Sequence, residues 1–235
     1  MRKKLLSVFM TAGLMMGAFS MAACGNSAAS TSSESSAKSA SASEKSSTES
    51  SSVSEESNTE SSSEEETGEL LTGTHHAEIS VKDYGTIYVE LDADTAPISV
   101  TNFVDLANEG FYDGLTFHRI IDGFMIQGGD PNADGTGGSD KTIKGEFSEN
   151  GVENDLSHTR GAISMARAND YDSASSQFFI VQSDSTYLDG QYACFGYVTE
   201  GMEIVDQICE DVEEGQNGAV EKENQPVIER IVITD

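Results

Sequence analysis

One run of the chain, Phe117 to Asp130, gathers residues that could do chemistry. It places a permanent cation, Arg119, among Phe117, Ile120, Ile121, Phe124, Met125 and Ile126, and follows with Gln127 and a Gly128-Gly129 pair. A guanidinium stays charged and carries five N–H donors in a fixed fork, so an apolar setting is costly unless those donors meet an acceptor. Alternation of Phe124 and Ile126 with Met125 and Gln127 predicts a strand with one face to a core and the other to a groove. Two chemistries fit. Arg119 could stabilise a polar group inside a dry cleft, or it could form a scaffold ion pair with one of the chain's many carboxylates. The run alone leaves both open.

Other motifs fail on chemical grounds. Asp130-Pro131-Asn132-Ala133-Asp134-Gly135 begins like a calcium loop, but the chelating Glu is replaced by Lys141. The glycines from Gly135 to Gly138 precede Lys141, yet Asp140 stands where a phosphate-binding loop needs Gly. They are read as turns shaping the edge of a groove. His75, His76, His118 and His158 show no metal spacing and no local signature of a nucleophilic triad. His118 is assigned a structural role on the strand face opposite Arg119, and neither a metal nor a cofactor is expected.

Phe117–Asp130 resembles the signature of the cyclophilins, the cyclosporin-binding peptidyl-prolyl cis-trans isomerases. Two more blocks follow in that family's order. They are Gly161-Ala162-Ile163-Ser164-Met165-Ala166, and Ser176-Gln177-Phe178-Phe179-Ile180 with Leu188-Asp189-Gly190 and Phe195-Gly196 downstream. The similarity runs from about Ala77 to Asp235. It implies that Arg119 is catalytic, with Gln127 holding it or the substrate carbonyl in register. It further implies that Phe124, Met125, Phe179 and Leu188 grip a proline ring, while Ala166 and the backbone at Arg167 bind the peptide in extended form. Tyr187 and Tyr192 then supply aromatic rims.

Three positions depart from the pattern of many eukaryotic members: Tyr187 replaces a Trp, Tyr192 a His and Arg167 an Asn. The first implies weak cyclosporin binding, and the third puts side-chain recognition at Arg167 in doubt. The implied activity is isomerisation of X–Pro bonds in exported proteins. The competing reading is a surface binding or adhesion module that holds proline-containing peptides without meaningful turnover.

The elements that must position these residues can be read from periodicity. Short runs at Ala77–Val81, Thr86–Leu91, Leu115–Ile120, Phe124–Gln127, Ile163–Ala166, Phe178–Val181, Phe195–Val198 and Val227–Thr234 predict antiparallel strands between glycine-rich turns. Pro97 opens a helical stripe of Val100, Phe103, Val104 and Ala107, and Met202, Val205, Ile208 and Cys209 predict a second, shorter helix. Together they fit a mainly β fold, and the resemblance implies a closed eight-stranded antiparallel barrel capped by two helices.

Before residue 73 the chain has a different character. Arg2, Lys3 and Lys4 followed by the apolar run Leu5–Ala18 predict a signal peptide over 1–23. Met21-Ala22-Ala23-Cys24-Gly25 resembles a bacterial lipobox, with Cys24 lipidated after cleavage, although Met21 replaces the usual Leu. Ordinary signal cleavage and secretion is the alternative. Residues 24–72 are Ser- and Glu-rich and too poor in apolar side chains to fold, so they are expected to form a disordered tether spanning roughly 35–40 Å as a coil. The isomerase-like domain is assigned to 73–235, anchored outside the cytoplasm on the cell membrane and monomeric. Most of the net charge of −28 lies in it, which excludes a nucleic-acid surface built from clustered Lys and Arg. Cys194 reads as a small core residue, and no disulfide with Cys209 is assigned.

Overall fold

The computed structural model describes residues 69–235. Cys24, the expected signal peptide and most of the expected tether lie outside the described residues. The elements run β1 (Thr74–Val81), β2 (Gly85–Asp92), α1 (Pro97–Asn108), β3 (Phe117–Ile121), β4 (Met125–Gly128), β5 (Ala162–Met165), β6 (Phe178–Val181), β7 (Cys194–Glu200), α2 (Met202–Asp211) and β8 (Ile228–Ile233). All eight expected strands and both helices are present, with ends shifted by a few residues.

The strands form one sheet in the order β3-β4-β6-β5-β7-β2-β1-β8, antiparallel at every pairing. Alternation sets the register of its outer half. Ala77, Ile79 and Val81 of β1 point inward opposite Val89, Ile87 and Gly85 of β2, so a slip by one residue would turn this whole set to water. The central strands β5 and β6 are buried along their full length because both faces are covered. Phe178 and Ile180 enter the main core, where Phe103 of α1 packs against Tyr112, Phe178 and Phe195 with ring centroids 5.3–5.4 Å apart. Phe179 and Val181 turn the other way, joining Met125, Ala162 and Cys194 in a smaller apolar cluster. That second cluster floors the cleft described below.

The expected closure is corrected. The sheet is an open half-barrel: β3 and β8 end it and do not pair along their lengths. The segments just before them meet at a single bridge, Thr116 with Val227, helped by hydrogen bonds from Phe117 N to Pro226 O and Ile228 N to Leu115 O. Two features stop the ladder there. Pro226 has no N–H to donate, and the outer edge of β3 is already taken by the 216–220 segment. Ala219 bridges Arg119, and Val220 N donates to His118 O at 3.0 Å. Gly218 permits this approach: it has φ +79°, and a Cβ there would lie 2.3 Å from Ile121 Cγ1.

Helix α1 starts at Pro97, as expected of a residue without an N–H, but its own N-cap, Ala96, has no side chain to cap it. The buried carboxylate of Glu146 does so instead, accepting from Ile98 N at 2.9 Å, Ser99 N at 2.8 Å and Ser99 Oγ at 2.7 Å. Placing an anion on the positive end of the helix also favours the macrodipole. Cys194 and Cys209 are free thiols, both buried, and burial pushes each up to about 12.

Candidate functional site

The site grows from a single row across the sheet. Arg119 on β3 lies directly opposite Gln127 on β4, Gln127 opposite Phe179 on β6, and Phe179 opposite Ser164 on β5. Directly opposed residues share a face, so strand pairing alone puts the guanidinium, the amide and the ring side by side. Two residues before Gln127, Met125 shares that face, as the alternation in sequence required.

These side chains border a cleft of about 230 Å³. Its apolar wall is Phe124, Met125, Phe179 and Leu188, its polar end is Arg119 and Gln127, and Ala166, Arg167 and Tyr192 complete the mouth. Nine of the ten expected site residues therefore meet around one cavity. The tenth, Tyr187, does not line it. It stands 63% exposed at the rim, with its ring centroid 6.1 Å from that of Phe124.

Arg119 is held without a carboxylate. Its Nε donates to the backbone carbonyl of Asn217 at 3.0 Å and its Nη1 to Gln127 Oε1 at 3.2 Å, and its Cζ lies 6.0 Å from the Phe124 centroid. Among the described residues no ion pair reaches it, so the scaffold-pair reading of this cation is not what the fold builds. Burial pulls its pKa below the ordinary guanidinium value, opposed by Tyr192 and Tyr187, and leaves it a cation at neutral pH.

Gln127 is fixed in turn. Its Nε2 donates to Gln177 Oε1 at 2.9 Å, and Gln177 Nε2 donates to the carbonyl of Gly137 at 2.7 Å. Because the chain of donors ends on a backbone carbonyl, each amide can face only one way, and Gln127 must turn its oxygen to Arg119. Gly137 is the close-approach glycine of that loop, since a Cβ there would stand 2.2 Å from Asp130 Oδ1. The would-be calcium ligand Asp130 is buried and accepts from the backbone of Asn132, Asp134 and Gly135, which makes the segment a carboxylate-organised turn.

Under the cleft lies a feature the histidine spacing did not announce. His158 Nδ1 is 2.9 Å from Asp189 Oδ1, and its Nε2 is 3.0 Å from Ser164 Oγ. The residue types are those of a nucleophilic triad, brought together from positions that carry no local signature of one. Ser164 and His158 are both fully buried, however, which denies the hydroxyl any substrate. His158 stacks under Phe179 at 5.9 Å and 16°, and Tyr192 meets Phe179 edge-on at 5.9 Å. The set supports the floor of the cleft. His118 is buried with neither ring nitrogen hydrogen-bonded, and it borders a second cavity together with Arg119 and Gln127.

Residues 76–235 match the family model described as cyclophilin type peptidyl-prolyl cis-trans isomerase/CLD. The chain belongs to the cyclophilin family. Its curated relatives include peptidyl-prolyl cis-trans isomerase A of Dickeya dadantii, 48% identical over 53% of this chain and 66% of that protein. Peptidyl-prolyl cis-trans isomerase B of Bacillus subtilis is 46% identical over 61% of this chain and 92% of that one. A crystal structure of a cyclophilin type isomerase from Cryptosporidium parvum, obtained in the presence of the dipeptide Ala-Pro, superimposes with a TM-score of 0.61. It is 31% identical and covers 68% of this chain and 99% of its own.

Four contributors to this cyclophilin's site were not singled out from sequence: Gln177, Asn217, His158 and Asp189. Gln177 and Asp189 fall inside the quoted family blocks, which was the available signal. Asn217 acts through its backbone carbonyl, and the Asn217-Gly218 turn pair, both at positive φ, was its trace in residue type.

Proposed function

We propose that this cyclophilin accelerates rotation about X–Pro bonds, with Arg119 stabilising the twisted peptide unit while the apolar wall holds the proline ring. Amide rotation is opposed by about 18–20 kcal/mol because the nitrogen lone pair is delocalised into the carbonyl. No bond is made or broken, so what helps is a contact stronger in the twisted state than in either planar one. As conjugation is lost, the nitrogen regains a lone pair, and a donor aimed at it becomes more favourable at that moment. The observation that carries this reading is Arg119 itself. It is a cation at the mouth of an apolar cleft, anchored by one carbonyl and one amide and neutralised by no carboxylate. A charge-assisted hydrogen bond is worth about 1.5–3 kcal/mol, or roughly 10- to 150-fold in rate.

Arg119→Ala is expected to lose at least that factor in turnover of a proline tetrapeptide while its thermal unfolding stays close to that of wild type. A folded variant with unchanged turnover would overturn the assignment.

The location proposed rests on sequence alone: export, then attachment to the cell membrane through a lipid on Cys24, with exported proteins as substrates. Membrane fractionation checks it. Cys24→Ser should leave the membrane fraction, and unchanged retention would count against the anchor.

A further inference from the structure

Arg167 is the second cation at the cleft, and its surroundings are unlike those of Arg119. Each of its three guanidinium nitrogens already donates to a backbone carbonyl. Nε and Nη2 both reach Gln191 O, at 3.0 and 2.8 Å, and Nη1 reaches Ala168 O at 2.9 Å. Three rings surround the group: its Cζ is 4.7 Å from the centroid of Tyr192, 4.9 Å from Tyr171 and 5.2 Å from Phe147. Guanidinium over aromatic faces is attractive, and more so where water is excluded.

The rings come from three separate loops. Phe147 belongs to the segment after the α1 cap, Tyr171 to the loop after β5, and Tyr192 to the loop before β7. Phe147 and Tyr171 also meet edge-on at 5.2 Å, and Tyr171 Oη donates to Glu149 Oε2 at 3.0 Å. Glu149 N donates to Gly190 O at 2.9 Å, so the first and third loops are tied by backbone as well. The cation sits where all three converge. Tyr192, one of its rings, is the residue that meets Phe179 on the cleft floor.

We infer that Arg167 is a positioning residue: its side chain reads no part of the substrate and instead fixes Tyr192 and the 188–192 loop against the proline cleft. This rests on the peptide-binding reading of that cleft, and the two can fail separately. The alternative role for a cation at a peptide groove is recognition of a substrate carboxylate. The forked donation to Gln191 and the aromatic cage disfavour it, because they already use three of the five N–H donors and fix where the remaining two can point.

The test uses the 73–235 domain within the full chain and reads peptide affinity by NMR titration as well as turnover, so that a protein lacking isomerase activity still answers the question. Three proline tetrapeptides are compared, with an acidic, a neutral or a basic residue before proline. Arg167→Met keeps most of the apolar stem of the side chain and loses the guanidinium with its charge and donors. It is expected to weaken all three peptides by a common factor on the order of tenfold, through KM more than kcat, and to broaden the Tyr192 ring resonances. Arg167→Lys retains a cation among the rings without the fork and should recover part of that loss. Should Arg167→Met fail to fold, the lysine variant still decides: affinity and Tyr192 resonances equal to wild type would overturn the proposal. So would a loss confined to the acidic peptide in either variant.

Discussion

At the scale of single residues, the two arginines of the cleft carry the same group in different surroundings. Arg119 keeps donor capacity facing the cleft because Asn217 and Gln127 hold it by neutral acceptors. Arg167 donates to backbone carbonyls and is flanked by rings. The neutrality of the partner at position 127 is itself a testable part of the mechanism. Gln127→Glu would place a carboxylate where Oε1 now lies 3.2 Å from Arg119, improving its hold on the guanidinium and cancelling its field. The variant also loses the Nε2 donor to Gln177 Oε1, so Gln127→Met, which removes both contacts without adding a charge, is the control: if Gln127 only positions, the two variants should lose the same factor. If the exposed charge of Arg119 does the stabilising, turnover of Gln127→Glu should fall about tenfold or more below that control at pH 7, with the peptide still bound. Turnover and affinity measured together separate the two outcomes, and the fall is expected.

At the scale of elements, the sequence made visible what repeats and hid what converges. Every strand and both helices were legible because their signals are local: alternation along β1 and β2, the continuous apolar run of β6, Pro97 at the start of α1. The row Arg119, Gln127, Phe179 was legible as well, because the family blocks fall on three strands that pair directly. Closure of the barrel was not. Whether β3 meets β8 depends on where the 216–220 segment lies, and that is set by Gly218 packing against Ile121 across nearly a hundred residues of chain. The cap on α1 was hidden for the same reason. Nothing near Ala96 supplies it, and Glu146 looked like one acidic residue among many. The Asp189, His158 and Ser164 set and the cage around Arg167 share this character. Each is assembled by loops, whose paths follow from packing more than from periodicity.

At the scale of the whole molecule, acid stability should follow the two buried histidines before it follows the many carboxylates. Burial is the first cause that holds both His118 and His158 below the usual histidine pKa. Asp130 opposes it most at His118, and the hydrogen bond that His158 donates to Asp189 opposes it at His158. The unfolded chain therefore takes up protons near pH 6.5 that the folded domain refuses. The stability this represents is fully present above about pH 6.5 and is lost as pH falls through the lower folded-state values. Asp189, Asp206 and Asp235 are held below the usual carboxylate value, so their contribution survives that window and declines only below about pH 4. Two steps are thus expected in a plot of unfolding free energy against pH. Each titrating histidine gives a slope of at most about 1.4 kcal/mol per pH unit, which bounds the first step's slope at about 2.7. His118→Leu isolates one of them, because neither ring nitrogen of His118 makes a hydrogen bond that the substitution would break. Urea unfolding of this variant between pH 7.5 and 5 should show a shallower first step, with the second unchanged. An undiminished first step would mean that His118 charges freely in the folded state, and that its burial does not exclude the proton.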